Sequence, residues 1–151
     1  MGLGLNEGLG VFGERRHERT SVNDKQLIRC ARQFRHGIIG VGGDSFMKCF
    51  MVSAPLAGLL EAHGVPAKLV EGSFGYCNHY WIELADGRVL DPTADQFNHY
   101  PHADAPLPDV YLGKRRAIHK TPNVRAEAGP TAKRQARVVE NAPAHCAGLA
   151  F

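Results

Sequence analysis

Apolar residues recur with two different periods along the chain. Leu27, Ile28, Ala31 and Phe34 repeat at helical spacing, behind an Asn23 able to cap the first turn, and Gly37 supplies a stop. Residues 37–43 carry four glycines and read as a loop, or as a short strand and tight turn. Residues 47–63 are apolar on most sides and predict a buried helix, closed by Gly64 and Pro66. Pro55 removes a backbone donor within this pattern and should kink the helix or mark its early turns.

The period then drops to two. Residues 67–72 predict a strand. Residues 77–84 predict another, with Tyr80, Ile82 and Leu84 on one face and His79, Trp81 and Glu83 on the other. Asp86-Gly87 marks a turn, and residues 88–91 form the returning strand. Residues 92–108, rich in Pro, His, Asp and Asn, read as loop, and residues 131–141 as a short helix. The pattern predicts an α+β fold in which a helix packs on a small antiparallel sheet.

Length and charge divide the chain. Its 151 residues favour one domain with a core of ordinary size. Residues 1–21 begin with five glycines in thirteen positions and are expected to be flexible, residues 22–113 form the domain, and residues 114–151 form a basic tail. The tail holds eight Lys or Arg against two acids, whereas residues 1–113 hold ten against thirteen. No stretch approaches the roughly 18 apolar residues of a membrane span, and no basic-then-apolar leader is present. A cytoplasmic protein is expected, with Cys30, Cys49, Cys77 and Cys146 as reduced thiols. The tail lacks interleaved aromatics, so a solvated or partner-binding role is favoured over nucleic acid.

One cysteine stands where chemistry is possible. A thiolate is the nucleophilic form of cysteine, and both a helix N-terminus and a nearby imidazolium favour it. Cys49 follows a Gly-Gly-Asp-Ser loop at the start of the apolar helix, where first-turn N–H groups can also receive an oxyanion. His79 can act as its base, and Asp91 can orient the histidine. The hairpin register tests this. A two-residue Asp86-Gly87 turn puts Asp91 and His79 on opposite faces. A three-residue loop, Ala85-Asp86-Gly87, pairs Leu84 with Arg88 and sets Asp91 diagonal to His79 at about 7–8 Å, within side-chain reach. Gly87 suits the left-handed position such a loop needs.

These residues resemble a known family. The run Cys49 to Pro66 is similar to the nucleophile helix of the transglutaminase-like superfamily, an Ala/Leu-rich helix ending in Gly-Val-Pro-Ala. His79-Tyr80-Trp81-Ile82-Glu83 resembles its His-x-Trp-x-Glu strand, and Leu90-Asp91-Pro92-Thr93 its Asp-Pro-Thr strand. The blocks occur in the family's order within residues 44–97, about a third of the chain. Two features depart from the pattern: Met47-Lys48 precede the cysteine where many members have a small residue, and Pro55 interrupts the helix. The resemblance implies a papain-like core and a cysteine enzyme without cofactor. It would act on a protein or peptide substrate as a thiol protease, amide hydrolase, deamidase or acyltransferase. A short chain of this kind is also similar to leader-peptide proteases of lasso-peptide maturation.

Other roles were weighed residue by residue. Trp81 shares the His79 face and is expected to pack, with substrate contact as its functional role; Asp95 and Gln96 follow the Asp-Pro-Thr turn and are candidates to line the cleft. Cys30 and Cys77 read as packing residues and Cys146 as a tail thiol. Glu83 reads as an exposed strand residue, and Gln33 as an oxyanion donor only by analogy. His99 and His102, three apart, lack the tight paired spacing of a zinc site, so no metal is expected. Two other classes remain: a transglutaminase-like module that binds without catalysis, and a metal- or nucleic-acid-binding protein in which His99, His102 and a cysteine converge or the basic tail forms a surface.

Overall fold

The computed structural model describes residues 22–75, 77–102 and 104–120. The fold is α+β, with two helices packed on a four-stranded antiparallel sheet. The first helix, α1, spans Asp24–Ile39. Asn23 caps it through Oδ1, which accepts from Lys25 N–H at 2.7 Å, while Gln26 Oε1 accepts from the Asn23 N–H at 3.1 Å. Gly37 does not stop this helix. The chain leaves it at Gly40, whose φ of 85° is costly for a side-chain-bearing residue.

The second helix, α2, spans Cys49–Ala62, so its first residue is the candidate nucleophile. Pro55 lies inside it, buried. The chain enters α2 through Met47, the one non-glycine residue with positive φ among the described residues, at 59°. Strand β1 (Ala67–Phe74) pairs with β2 (Cys77–Leu84) over its whole length. The short strands β3 (Val89–Asp91) and β4 (Tyr111–Gly113) complete the order β1-β2-β3-β4.

The β2–β3 connection is the three-residue loop. Leu84 N–H donates to Arg88 O at 2.9 Å, Glu83 pairs with Val89 and Ile82 with Leu90. Gly87, at φ 80°, takes the left-handed position.

Both faces of the sheet are covered. Ile82, Leu84 and Leu90 pack against Ala31 of α1 and Leu56 and Leu60 of α2. On the opposite face, Val70, Trp81 and Val89 pack against Phe97, Leu107 and Ile118 from the segments after β3 and β4. Residues 92–108, expected as loop, thus form a second layer, with a 3₁₀ turn at Ala94–Phe97. The layer extends beyond residue 113, where the basic tail was expected to begin. A 3₁₀ turn at Ala117–His119 buries Ile118 and His119 completely. The expected flexible segment 1–21, the short helix at 131–141 and Cys146 lie outside the described residues. Among the described residues, no helix is long and apolar enough to cross a membrane.

Candidate active site

Asp91 ends β3 and is fully buried, with four polar hydrogen-bond partners around its two oxygens. Oδ1 accepts from Thr93 N–H at 2.9 Å and from Thr93 Oγ1 at 3.2 Å. Oδ2 accepts from His79 Nε2 at 2.7 Å and from His119 Nε2 at 3.0 Å. Four donors fill the acceptor capacity of a carboxylate. Burial alone would push the carboxyl up, but the charge of His79 and the hydrogen bonds from His119 and His79 hold it well below the usual range.

The Asp-Pro-Thr segment builds this locally. Proline directs the chain so that Thr93 turns back on Asp91 with both its amide and its hydroxyl, a short-range Asx turn.

His79 is also completely buried, and its ring meets Phe97 edge-on at 4.7 Å and Trp81 at 5.5 Å. Burial opposes its charge. The Asp91 carboxylate outweighs this by charge and hydrogen bond, with a smaller contribution from the Cys49 sulfur, and the imidazole is pushed up to about 9. Nε2 is committed to Asp91, so Nδ1 is the nitrogen left for neighbours. Gln96 Nε2 lies 3.0 Å from it and donates to Thr93 Oγ1 at 3.3 Å; toward the charged ring, whose Nδ1 carries a proton, this nitrogen is a second donor and works against the charge. The Cys49 sulfur is near enough to add to the rise at His79.

Cys49 is 6% exposed, and its thiol donates to the Asn78 carbonyl at 3.8 Å. As the first residue of α2 it lies among backbone N–H groups that have no carbonyl one turn earlier in the helix. Val52 N–H is already taken by Lys48 O at 3.1 Å, so the free donors belong to the first turn.

The remaining candidates are placed differently. Trp81 is fully buried, with its indole Nε1 unbonded, against His79 and His119. Asp95 is bound within the protein. Arg35 grips it with two bonds of 2.7 Å, and Ser45 Oγ donates to it at 2.7 Å. Gln96 faces His79. Glu83 pairs with Arg115 at 2.7 Å. Cys30 is buried and Cys77 partly so. His99 is exposed, while His102 packs against the Phe74 ring.

Two buried residues at the site, Arg35 and His119, have no place in the sequence reading. Arg35 is 4% exposed and also donates to the carbonyls of Pro92 and Asp109, both at 2.9 Å, which ties α1 to the segments carrying Asp91 and Asp95. A signal existed: Arg35 continues the Leu27–Ala31 stripe at a position where an apolar residue belongs. His119 left none, since it sits in a basic run and its partner lies 28 residues away.

The donor atoms of His79, Asp91 and His119 lie within 4.8 Å of one another, compact enough for a divalent cation. The hydrogen bonds oppose that use. His119 Nδ1 accepts from Arg116 N–H at 3.1 Å, which leaves the ring proton on Nε2, aimed at Asp91. Metal on Nε2 would move that proton to Nδ1, against another donor.

Comparison with family models, with curated proteins and with solved structures gives no match.

Proposed function

We propose that this chain is a cysteine amidohydrolase or peptidase of the transglutaminase-like kind, with Cys49 as nucleophile, His79 as acid–base and Asp91 as the residue orienting the histidine. The observation that carries the reading is the fully buried His79–Asp91 pair at 2.7 Å, set on the strand next to Asn78, whose carbonyl the Cys49 thiol meets at the start of α2. The arrangement of that helix on an antiparallel sheet supports a papain-like core.

In the proposed reaction the Cys49 thiolate adds to a carboxamide or peptide carbonyl, forming a C–S bond. First-turn N–H groups of α2 stabilise the oxyanion. As the tetrahedral intermediate collapses, the C–N bond breaks and His79 delivers its Nδ1 proton to the leaving amine. Water then attacks the thioester with His79 as base, releasing the acid and the thiol. An amine in place of water would give acyl transfer, but the concentration of water makes hydrolysis or deamidation the default.

A second reading, a binding module without catalysis, draws on the same site. Cys49 is almost completely covered, and the Gln96 amide competes for His79 Nδ1. Iodoacetamide labelling at mildly acidic pH separates the two. Rapid modification of Cys49 that is lost in His79→Ala supports the enzyme. Labelling of Cys49 no faster than the other cysteines, unaffected by His79→Ala, supports the module.

A further inference from the structure

His119 shares an oxygen with the residue proposed as the catalytic base. Both Nε2 atoms donate to Asp91 Oδ2, His79 at 2.7 Å and His119 at 3.0 Å. The two rings are stacked at 5.8 Å, and His119 is enclosed by Tyr111 at 5.8 Å and Trp81 at 5.2 Å. Its protonation state is set by its neighbours. Arg116 N–H occupies Nδ1, so a second ring proton would face a donor. Burial pushes His119 down, the charges of His79 and Arg115 add to this, and the Asp91 bond opposes it only in part. His119 is therefore a neutral donor beside an ion pair.

We infer that His119 is a positioning residue: through its hydrogen bond to Asp91 Oδ2 it limits how tightly Asp91 holds the His79 proton. The inference rests on the cysteine-enzyme reading for its functional meaning, but the bond it invokes can be tested without it. An oxygen that serves two donors presents less charge to each, and the positive end of the His119 N–H dipole also faces the imidazolium. Without His119, the whole of Oδ2 would serve His79. An imidazolium stabilised that strongly through Nε2 gives up its Nδ1 proton poorly to a leaving amine near neutral pH, because an acid works best when its pKa lies close to the working pH. The titratable and charged groups around the two histidines are Cys49 from α2, Asp91 from β3, Tyr111 from β4, and Arg115 and Arg116 from the segment after β4.

The test is the His79 titration, followed on the full chain labelled with 15N-histidine. Its ring nitrogens are assigned by their loss in His79→Gln. Three substitutions divide the roles of His119. His119→Phe keeps the stacked ring and removes both polar contacts. His119→Asn keeps an acceptor for the Arg116 N–H but is too short to donate to Asp91. His119→Gln keeps a donor near the Nε2 position. The expected result is an alkaline shift of the His79 midpoint by about one pH unit in the Phe and Asn variants, the scale of one charge-assisted hydrogen bond, with a shift under about 0.3 in the Gln variant. An unchanged or acid-shifted midpoint in the Asn and Phe variants overturns the inference, and so does a Gln variant that shifts as far as Phe. Cys49 alkylation in the wild-type chain is read alongside. Slow alkylation there would count against the enzyme reading while leaving the His119–His79 coupling measurable.

Discussion

The buried His79–Asp91 pair makes stability depend on alkaline pH, and the size of the effect follows from the site. His79 is raised from 6.5 to about 9 in the folded chain. A group with a raised folded pKa contributes stability that is fully present below its unfolded value and is lost as pH rises through the folded one. Each unit is worth about 1.4 kcal/mol, so His79 contributes about 3 kcal/mol at pH 6, most of it gone by about pH 10. Physically, deprotonation leaves Asp91 as a buried carboxylate bound only to neutral donors. The assay is urea unfolding in reducing buffer at intervals across this range, on the wild-type chain and on His79→Gln. The difference between the two isolates the histidine from other titrating groups. It should be largest near pH 6 and shrink by about 3 kcal/mol toward pH 10. A difference constant to within about 1 kcal/mol would refute the charged pair and the role given to Asp91.

Two further substitutions test how the site is held. Arg35→Met should destabilise the chain by about 2–3 kcal/mol in chemical denaturation, because it strands Asp95 and two carbonyls; partial exposure of Asp95 keeps the loss below that of a fully buried pair, and a loss under about 1 kcal/mol would show that Arg35 is dispensable. Gly43→Ala should cost about 1–3 kcal/mol and slow Cys49 alkylation at matched folded fraction, since the new Cβ would overlap the Ile39 carbonyl oxygen and the loop leading into α2 must move; wild-type stability and labelling would contradict this.

The parts of the site that could be read from the chain were those governed by local rules. The start of α2, the alternation of β2 and the turn at Asp86-Gly87 each depend on a few neighbouring residues. They bring His79 and Asp91 to one face only with a three-residue loop, and the structure has that loop. Boundaries were less well defined. Gly37 was taken as a helix stop, but three more turn-compatible residues carried α1 on to a glycine with positive φ. Asp95 was expected near substrate because it follows the Asp-Pro-Thr turn. Its carboxylate is instead taken up by an arginine from α1, and nothing in the adjacent sequence encodes that pairing.

By itself, the sequence determined the two helices, the strands around Asp86-Gly87 and the choice of Cys49, His79 and Asp91 as candidates, because each follows from periodicity, turn chemistry or side-chain type over short spans; the three-residue register and strand β4 came only with the structure. Only the tertiary structure decided which side chains enclose them. His119 reaches Asp91 from 28 residues downstream, and Arg35 reaches Asp95 across 60. Such contacts are selected by burial: a carboxylate taken out of water must find its donors in whatever segment packs above it, and that segment is set by the fold of the whole chain.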